Sequence, residues 1–584
     1  MSAYADDCAG LAYTLNGESR HIASDGEIAI PAGQTLAINM KTTGCWYGHG
    51  FSHRQPYPLN AEPVVNENLA VNNIQCPIWM CQKGYALLAD TTQTLCVRIN
   101  AGGNQRFELS CAQADVSLRV FADKTLPEAH RKLMAHLGRR EGGKGGAFLG
   151  DCVFCTWTQY PRSLTQQRVV DMARQIKQRG YPCGVLTIDD IWEANYGELG
   201  FSGNFPDPAA MMAQLHELGF KVLLWVTPFV NEDADTFAYL QQQGYLVMAQ
   251  DGAARLKWWG GTAGLIDLSN PGARQWYKEK LLTLMQTYGA DGFKIDGGDA
   301  KYQPAGKGVR WHDYAGPSGY ADRLLALFEE IAPGMCETRT AWLSQRRDII
   351  WREGGKDSHW GVDNGMKAMV SLGLHLALMG YDILMPDMVP GRVQTMVKDM
   401  PLPTDELMVR WTEISAWMPV LQFSYFPWNY GEATERIAAR CARLHKLLEA
   451  ELRRCAGDAA RPLMRPLWYD YPDEKAYYSL SDTYLLGRDV LVAPITDENR
   501  VSRDVMIPPG AWRNIYTGEM LSEGLYPQYP APCPGMPVFV NARNPALFEA
   551  LHAEARDMPL GAVASGVTSA NYSSGIDRDL SVTG

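Results

Sequence analysis

Hydrophobic and polar positions follow two different rhythms along the chain. Up to about residue 125, short apolar runs succeed one another between turn residues, as in Glu27-Ile-Ala-Ile-Pro31, Thr35-Leu-Ala-Ile-Asn39, Tyr85-Ala-Leu-Leu-Ala89 and Val116-Ser-Leu-Arg-Val120. Closely spaced strands with no helix between them predict an antiparallel β-sandwich over residues 1–125. From 126 to 447, apolar runs at 150–156, 184–189, 222–226, 292–296, 336–340, 358–363, 383–387 and 420–423 alternate mostly with helical stretches. Asp207-Pro-Ala-Ala-Met-Met has an Asp cap and Pro at the first helical position, and Gly219 stops that helix; Asn270-Pro-Gly-Ala-Arg repeats the opening. Such alternation predicts an α/β fold with a parallel sheet. Eight strands fit a closed barrel better than an open sheet, but strand count alone does not exclude a doubly wound fold. The polar residues gathered at the carboxyl ends of the runs select the closed (β/α)8 TIM barrel. Strands return over 448–563 and predict a C-terminal β domain. Residues 564–584, rich in Ser, Gly, Thr and Asp, read as a disordered tail or an engineered extension.

The segment Gly292-Phe-Lys-Ile-Asp296-Gly-Gly-Asp299 ends a strand-like run on a carboxylate and breaks at once into glycines. A barrel presents a catalytic acid in this way. A second carboxylate, Asp363, ends Ser358-His-Trp-Gly-Val-Asp363, and two such groups suggest the acid pair of a glycosidase. Asp291 and Asp299 are the nearest competitors of Asp296, and Asp357 is that of Asp363. Lys294, two residues before Asp296 on a strand, faces the same side and would keep it ionised. Trp360 would supply the apolar wall that helps the acid hold its proton. Asp189 and Asp190 end the second run, where at least one should accept from sugar hydroxyls. Arg339 ends the fifth run, and a hydroxyl clamp and a structural ion pair are equally good readings of it. Trp225, Trp259, Trp360 and Trp428 are candidate sugar platforms, although a single Trp is more often core.

With 584 residues the chain should form two to four domains. Its net charge of −11 argues against nucleic-acid binding, and no segment is apolar for long enough to suggest a membrane span. The start, Met1-Ser-Ala-Tyr-Ala-Asp-Asp, has no secretory pattern, so a cytoplasmic location is expected. Thirteen scattered cysteines include one C-x-x-C at Cys152 and Cys155, read as reduced packing residues beside the first barrel strand. The eleven histidines form no metal-binding pattern, so no metal is expected.

The blocks Leu186-Thr-Ile-Asp-Asp-Ile-Trp192, Asn204-Phe-Pro-Asp-Pro208, Leu224-Trp-Val-Thr-Pro-Phe229, Gly292-Phe-Lys-Ile-Asp296, His359-Trp-Gly-Val-Asp-Asn364 and the run 486–495 resemble, in order, those of glycoside hydrolase family 31, the retaining α-glycosidases. The resemblance implies a β-sandwich, a (β/α)8 barrel and C-terminal β domains. It makes Asp296 the nucleophile and Asp363 the acid/base, and lines the sugar subsite with Asp189, Trp225, Lys294 and Arg339. It implies no cofactor. Trp46-Tyr-Gly48, Trp258-Trp-Gly260 and Leu384-Met-Pro-Asp-Met388 are similar to the α-galactosidase and myogenesis-regulating glycosidase-like branch. That branch implies α-galactoside cleavage, with Trp46 on a loop reaching the pocket and Asp387 as a further pocket residue. The expected partner is a small glycoside or oligosaccharide, and a homo-oligomer is compatible with the sequence. An α-glucosidase or α-xylosidase is the alternative, and a non-catalytic sugar-binding protein a distant one. Two departures stand out: Asp299 replaces the usual Glu, and Gly-Val-Asp-Asn carries an extra residue. No Gln/Arg/Trp pattern for a sulfonate pocket is present.

Overall fold

The computed structural model describes residues 10–50, 54–138, 145–393, 402–456, 458, 460–564, 566 and 568–569. At the N-terminus, antiparallel sheets of six and five strands pack face to face. Alternation drives this packing: in Val116–Ala122 the residues Val116, Leu118 and Val120 are buried while their neighbours are half-exposed. The strand Trp46–Gly50 is buried along its whole length. Trp46 stacks on Phe107 with ring centres 5.0 Å apart, inside the sandwich core. It therefore does not ride on a loop at the pocket, as the branch resemblance implied.

Eight parallel strands form the central barrel, in chain order Cys152–Cys155, Cys183–Ile188, Lys221–Val226, Gly292–Ile295, Cys336–Thr338, Ile350–Arg352, Leu384–Met385 and Gln422–Phe423. Val389, just past the seventh strand, donates its N–H to Gln422 O at 2.9 Å and closes the ring. Asp207 and Asn270 cap their helices as their sequences imply, accepting from Ala210 N–H and from the Gly272 and Ala273 N–H groups. Cys152 and Cys155 are buried free thiols within the first strand.

The sixth strand lies at Ile350–Arg352, not at 358–363. Only Ile350 and Trp351 give it an apolar signal, and it ends on the buried Arg352, so its pattern is too short and too polar to stand out. Residues 358–363 belong instead to the loop beyond it. After the third strand the chain builds a small antiparallel sheet from Phe229–Asn231, Arg255–Trp258 and Gly261–Leu265, whose tight turn projects Trp259.

The C-terminal domain is one six-stranded antiparallel sheet with helix Pro545–Ala555. The expected tail begins docked: Ser569 donates from its N–H and hydroxyl to Asp405, at 2.7 and 2.6 Å. Residues 570–584 lie outside the described residues. Among the described residues no helix is long and apolar enough to cross a membrane.

Candidate active site

The carboxyl ends of the barrel strands surround a cleft of about 400 Å³, a size suited to small ligands. Asp296 follows the fourth strand directly, its backbone N–H still paired with Val226 O at 2.9 Å. Gly297 and Gly298 then adopt φ values of 79° and 81°, which turn the chain away and leave the carboxylate facing the cleft. Trp225 Nε1 donates to Asp296 Oδ2 at 3.1 Å, Gly297 N–H donates to Oδ1 at 3.0 Å, and Arg339 Nε donates to Oδ1. Burial alone would raise this carboxyl's pKa. Arg339 and Arg352, then the Trp225 hydrogen bond and Lys294, outweigh burial and hold it below the ordinary carboxylate value.

Lys294 has a different direct partner from the one its spacing suggested. It points into the barrel and pairs with Asp189 Oδ2 at 2.5 Å, with Glu337 Oε1 at 3.8 Å and Cys155 Sγ at 3.6 Å. Sharing a side with Asp296 puts Lys294 one layer deeper on the strand, and Arg339 takes the contact instead. Burial would depress the lysine, but Asp189 above all keeps its pKa raised. Glu337 is wholly buried; its pKa is raised by burial, against the pull of Lys294 and Arg352.

Asp190 also lines the cleft. It accepts from Tyr196 Oη at 2.6 Å and from Ile191 N–H at 2.7 Å. Burial pushes its pKa up to about 7, with the Asp189 and Asp296 charges adding to the effect. Ile191 has φ of 67°, a costly conformation for a β-branched residue, and strain of this kind is typical of functional loops. Trp259 borders the cleft with 44% of its surface exposed, and the Arg339 guanidinium lies 5.4 Å from its ring centre. Asp189, Asp190, Trp225, Trp259, Lys294, Asp296 and Arg339 thus come together as the sequence implies.

Four other candidates do not join them. Asp387 is buried below the cleft, accepting from Lys356 N–H at 2.7 Å and lying 3.6 Å from Arg352 Nη1. Trp360 is half-buried against the core outside the cleft lining, and Trp428, stacked on Phe154 at 5.7 Å, also stands outside it. Asp363 has a side chain 75% exposed on the outer loop, with His359 Nε2 at 3.8 Å. The structure therefore does not place Asp363 against the cleft.

Asp357, six residues earlier, is 20% exposed and accepts from Arg392 at 2.8 Å (Nε) and 2.5 Å (Nη2) and from Asn364 Nδ2 at 3.1 Å. Arg392 and Gly355, on either side of it in the chain, both line the cleft. Sequence reasoning also passed over Arg352 and Asn73. Arg352 was hidden with the short sixth strand that it ends. Asn73 had no local signal, because it reaches Arg339 from the N-terminal domain. Among the described residues no group of three or more His, Cys, Asp and Glu side chains could hold a metal ion.

Comparison with known proteins identifies the architecture. The model described as the glycosyl hydrolases family 31 TIM-barrel domain matches residues 148–449, and that of the family's C-terminal domain matches 460–544. The myogenesis-regulating glycosidase N-terminal domain model matches residues 23–126. Myogenesis-regulating glycosidase of Mus musculus is 31% identical over 424 residues, 70% of this chain and 59% of that protein. A 1,3-alpha-isomaltosidase of Kribbella flavida is 29% identical over 376 residues, 58% of this chain and 50% of that one. The chain thus matches between half and three fifths of the length of these two relatives. The crystal structure of an alpha-xylosidase from a soil metagenome, complexed with xylose, superimposes with a TM-score of 0.76 at 22% identity, covering 92% of this chain and 83% of that one. Sequence blocks, barrel and family models agree, and the chain belongs to glycosyl hydrolase family 31.

Proposed function

We propose that this protein is a retaining exo-α-glycosidase that removes a terminal α-linked sugar, with α-galactosides as its first substrate class. The observation that carries the reading is Asp296: a carboxylate at the end of a barrel strand, facing a sugar-sized cleft and held ionised by Arg339. Such a group can attack the anomeric carbon as the leaving group departs, and water then releases the glycosyl-enzyme. Asp189 and Asp190 would accept from ring hydroxyls, with Trp225 and Trp259 as apolar walls. The galactoside preference rests on the resemblance of the blocks around Trp258 and Asp387 to the α-galactosidase and myogenesis-regulating glycosidase-like branch, whose N-terminal domain model matches residues 23–126. Family members differ in sugar, as the isomaltosidase and xylosidase relatives illustrate, so α-glucoside and α-xyloside are the alternatives.

The second carboxyl in this reading is Asp357 rather than Asp363. Asp357 belongs to the loop that forms the cleft wall, while Asp363 faces solvent. Arg392 donates to Asp357 through Nε and Nη2, so that contact must loosen for the carboxyl to meet a leaving oxygen. A screen of aryl α-glycosides tests the reading. Turnover of α-galactoside, abolished by Asp296→Ala, is the expected result. Turnover of α-glucoside with none of α-galactoside would overturn the sugar assignment, and an active Asp296→Ala enzyme would overturn the nucleophile.

A further inference from the structure

Residues 70–74 leave the N-terminal sandwich and cross the barrel mouth. Ser318 Oγ accepts from Val71 N–H at 3.2 Å, Ala300 N–H donates to Val71 O at 2.7 Å, and Ile74 forms a parallel bridge with Ala341. Between these anchors Asn73 adopts φ of 58°, a left-handed conformation that asparagine tolerates better than most residues. Its N–H donates to Asp299 Oδ1 at 2.6 Å, and its Oδ1 accepts from Arg339 Nη1. The Nε of that guanidinium donates to Asp296. Asp299, fully buried, keeps its second oxygen 3.9 Å from Arg339 Nη2 with no hydrogen bond among the described residues.

Arg339 is thus shared among the Asp296 carboxylate, the Asn73 amide and the Asp299 carboxylate. A guanidinium is flat and rigid, so fixing Nη1 fixes the direction of Nε. We propose that Asn73 is a positioning residue for the nucleophile, supplied by the N-terminal domain: it orients Arg339 towards Asp296 and away from Asp299. Without it, the guanidinium can turn towards the competing buried carboxylate, and Asp296 loses the main cation that keeps it charged. This inference rests on the glycosidase reading and extends it to a residue that touches no substrate.

The test compares Asn73→Ala and the near-isosteric Asn73→Asp with wild type, on the full chain. Asn73→Ala should lower kcat/KM about 10- to 100-fold and move the acid limb of the kcat/KM–pH profile upwards. Asn73→Asp keeps the acceptor but adds a charge that competes for Arg339, so its acid limb should also move upwards even if the fold is untouched. A merely structural role would lower the melting temperature and leave the limb in place. Wild-type limbs in both variants, with kcat/KM within about twofold, would overturn the proposal. Titration of the Asp296 carboxyl by carbon-13 NMR, its signal identified with Asp296→Asn, supplies the same answer without turnover. If wild type cleaves no α-glycoside but this titration still moves upwards in the variants, the function reading fails and the positioning role stands.

Discussion

A carboxylate beneath a sugar site stays ionised only while cations and N–H donors outweigh the loss of water. At Asp296 the balance is met by Arg339, Arg352, Trp225 Nε1 and Gly297 N–H. At Asp190 it is not, and burial raises that group to about 7. The two outcomes within one cleft lead to a stability prediction. A carboxyl whose folded pKa lies above its unfolded value stabilises the fold below about pH 4, and this contribution is lost as the pH rises through about 7. Asp190→Asn removes the charge while keeping an acceptor for Tyr196 Oη and Ile191 N–H. It should therefore be more stable than wild type by about 1 kcal/mol at pH 8, show little difference at pH 4, and lose activity at both. Calorimetric melting at the two pH values checks this; a variant less stable than wild type at pH 8 would count against a strained, functional Asp190. Asp296 was legible in the sequence because a strand followed by two glycines is a local pattern. Its cation was not, because period two shows which side Lys294 faces but not how deep it sits.

A barrel places its chemistry just beyond the carboxyl ends of its strands, so an error in a strand becomes an error in a residue. The sixth strand ends at Arg352, and the loop that follows brings Gly355 to the cleft wall and Asp357 next to Arg392. Reading 358–363 as the strand carried the same rule too far along the chain and selected Asp363. The Trp46 expectation came from the branch resemblance alone, and it failed: Trp46–Gly50 is a buried strand, and the element that does cross the barrel mouth, residues 70–74, has no aromatic at all. Most other strands and both predicted caps were readable, because each announces itself within a few residues. The two acid candidates separate cleanly in kinetics. Asp357→Ala should slow glycosides with poor leaving groups by about 100-fold or more, and activated aryl glycosides much less, since they need less protonation. Asp363→Ala should leave that ratio unchanged. The reverse pattern would restore Asp363.

The N-terminal sandwich does more than sit beside the barrel, and its joint carries a pH dependence of its own. His375, on a barrel helix, accepts from Gly48 N–H at 3.1 Å through Nδ1, and its Nε2 lies 2.9 Å from Pro56 O. His49 in the sandwich accepts from Trp79 Nε1 at 3.2 Å. Both rings are fully buried, and burial lowers His375 to about 3 and His49 to about 4. A base whose folded pKa lies below its unfolded value near 6.5 contributes stability above that value and loses it as the pH falls. Each histidine should therefore cost roughly 1.4 kcal/mol per pH unit below about 6.5, until its folded value is reached. Melting temperatures between pH 7 and pH 4 should fall less steeply in His375→Gln than in wild type, and parallel slopes would show that the joint does not titrate. The buried surroundings of these histidines are long-range facts, invisible to local patterns.

The central claim is that Asp296 forms a covalent bond with the sugar, and trapping that species is its most direct test. Treatment with 5-fluoro-α-D-galactosyl fluoride, followed by proteolysis and peptide mass spectrometry, should show one added fluorogalactosyl group on the peptide containing Asp296. An adduct on another carboxylate, or undiminished α-galactoside turnover with no adduct after prolonged incubation, would contradict it.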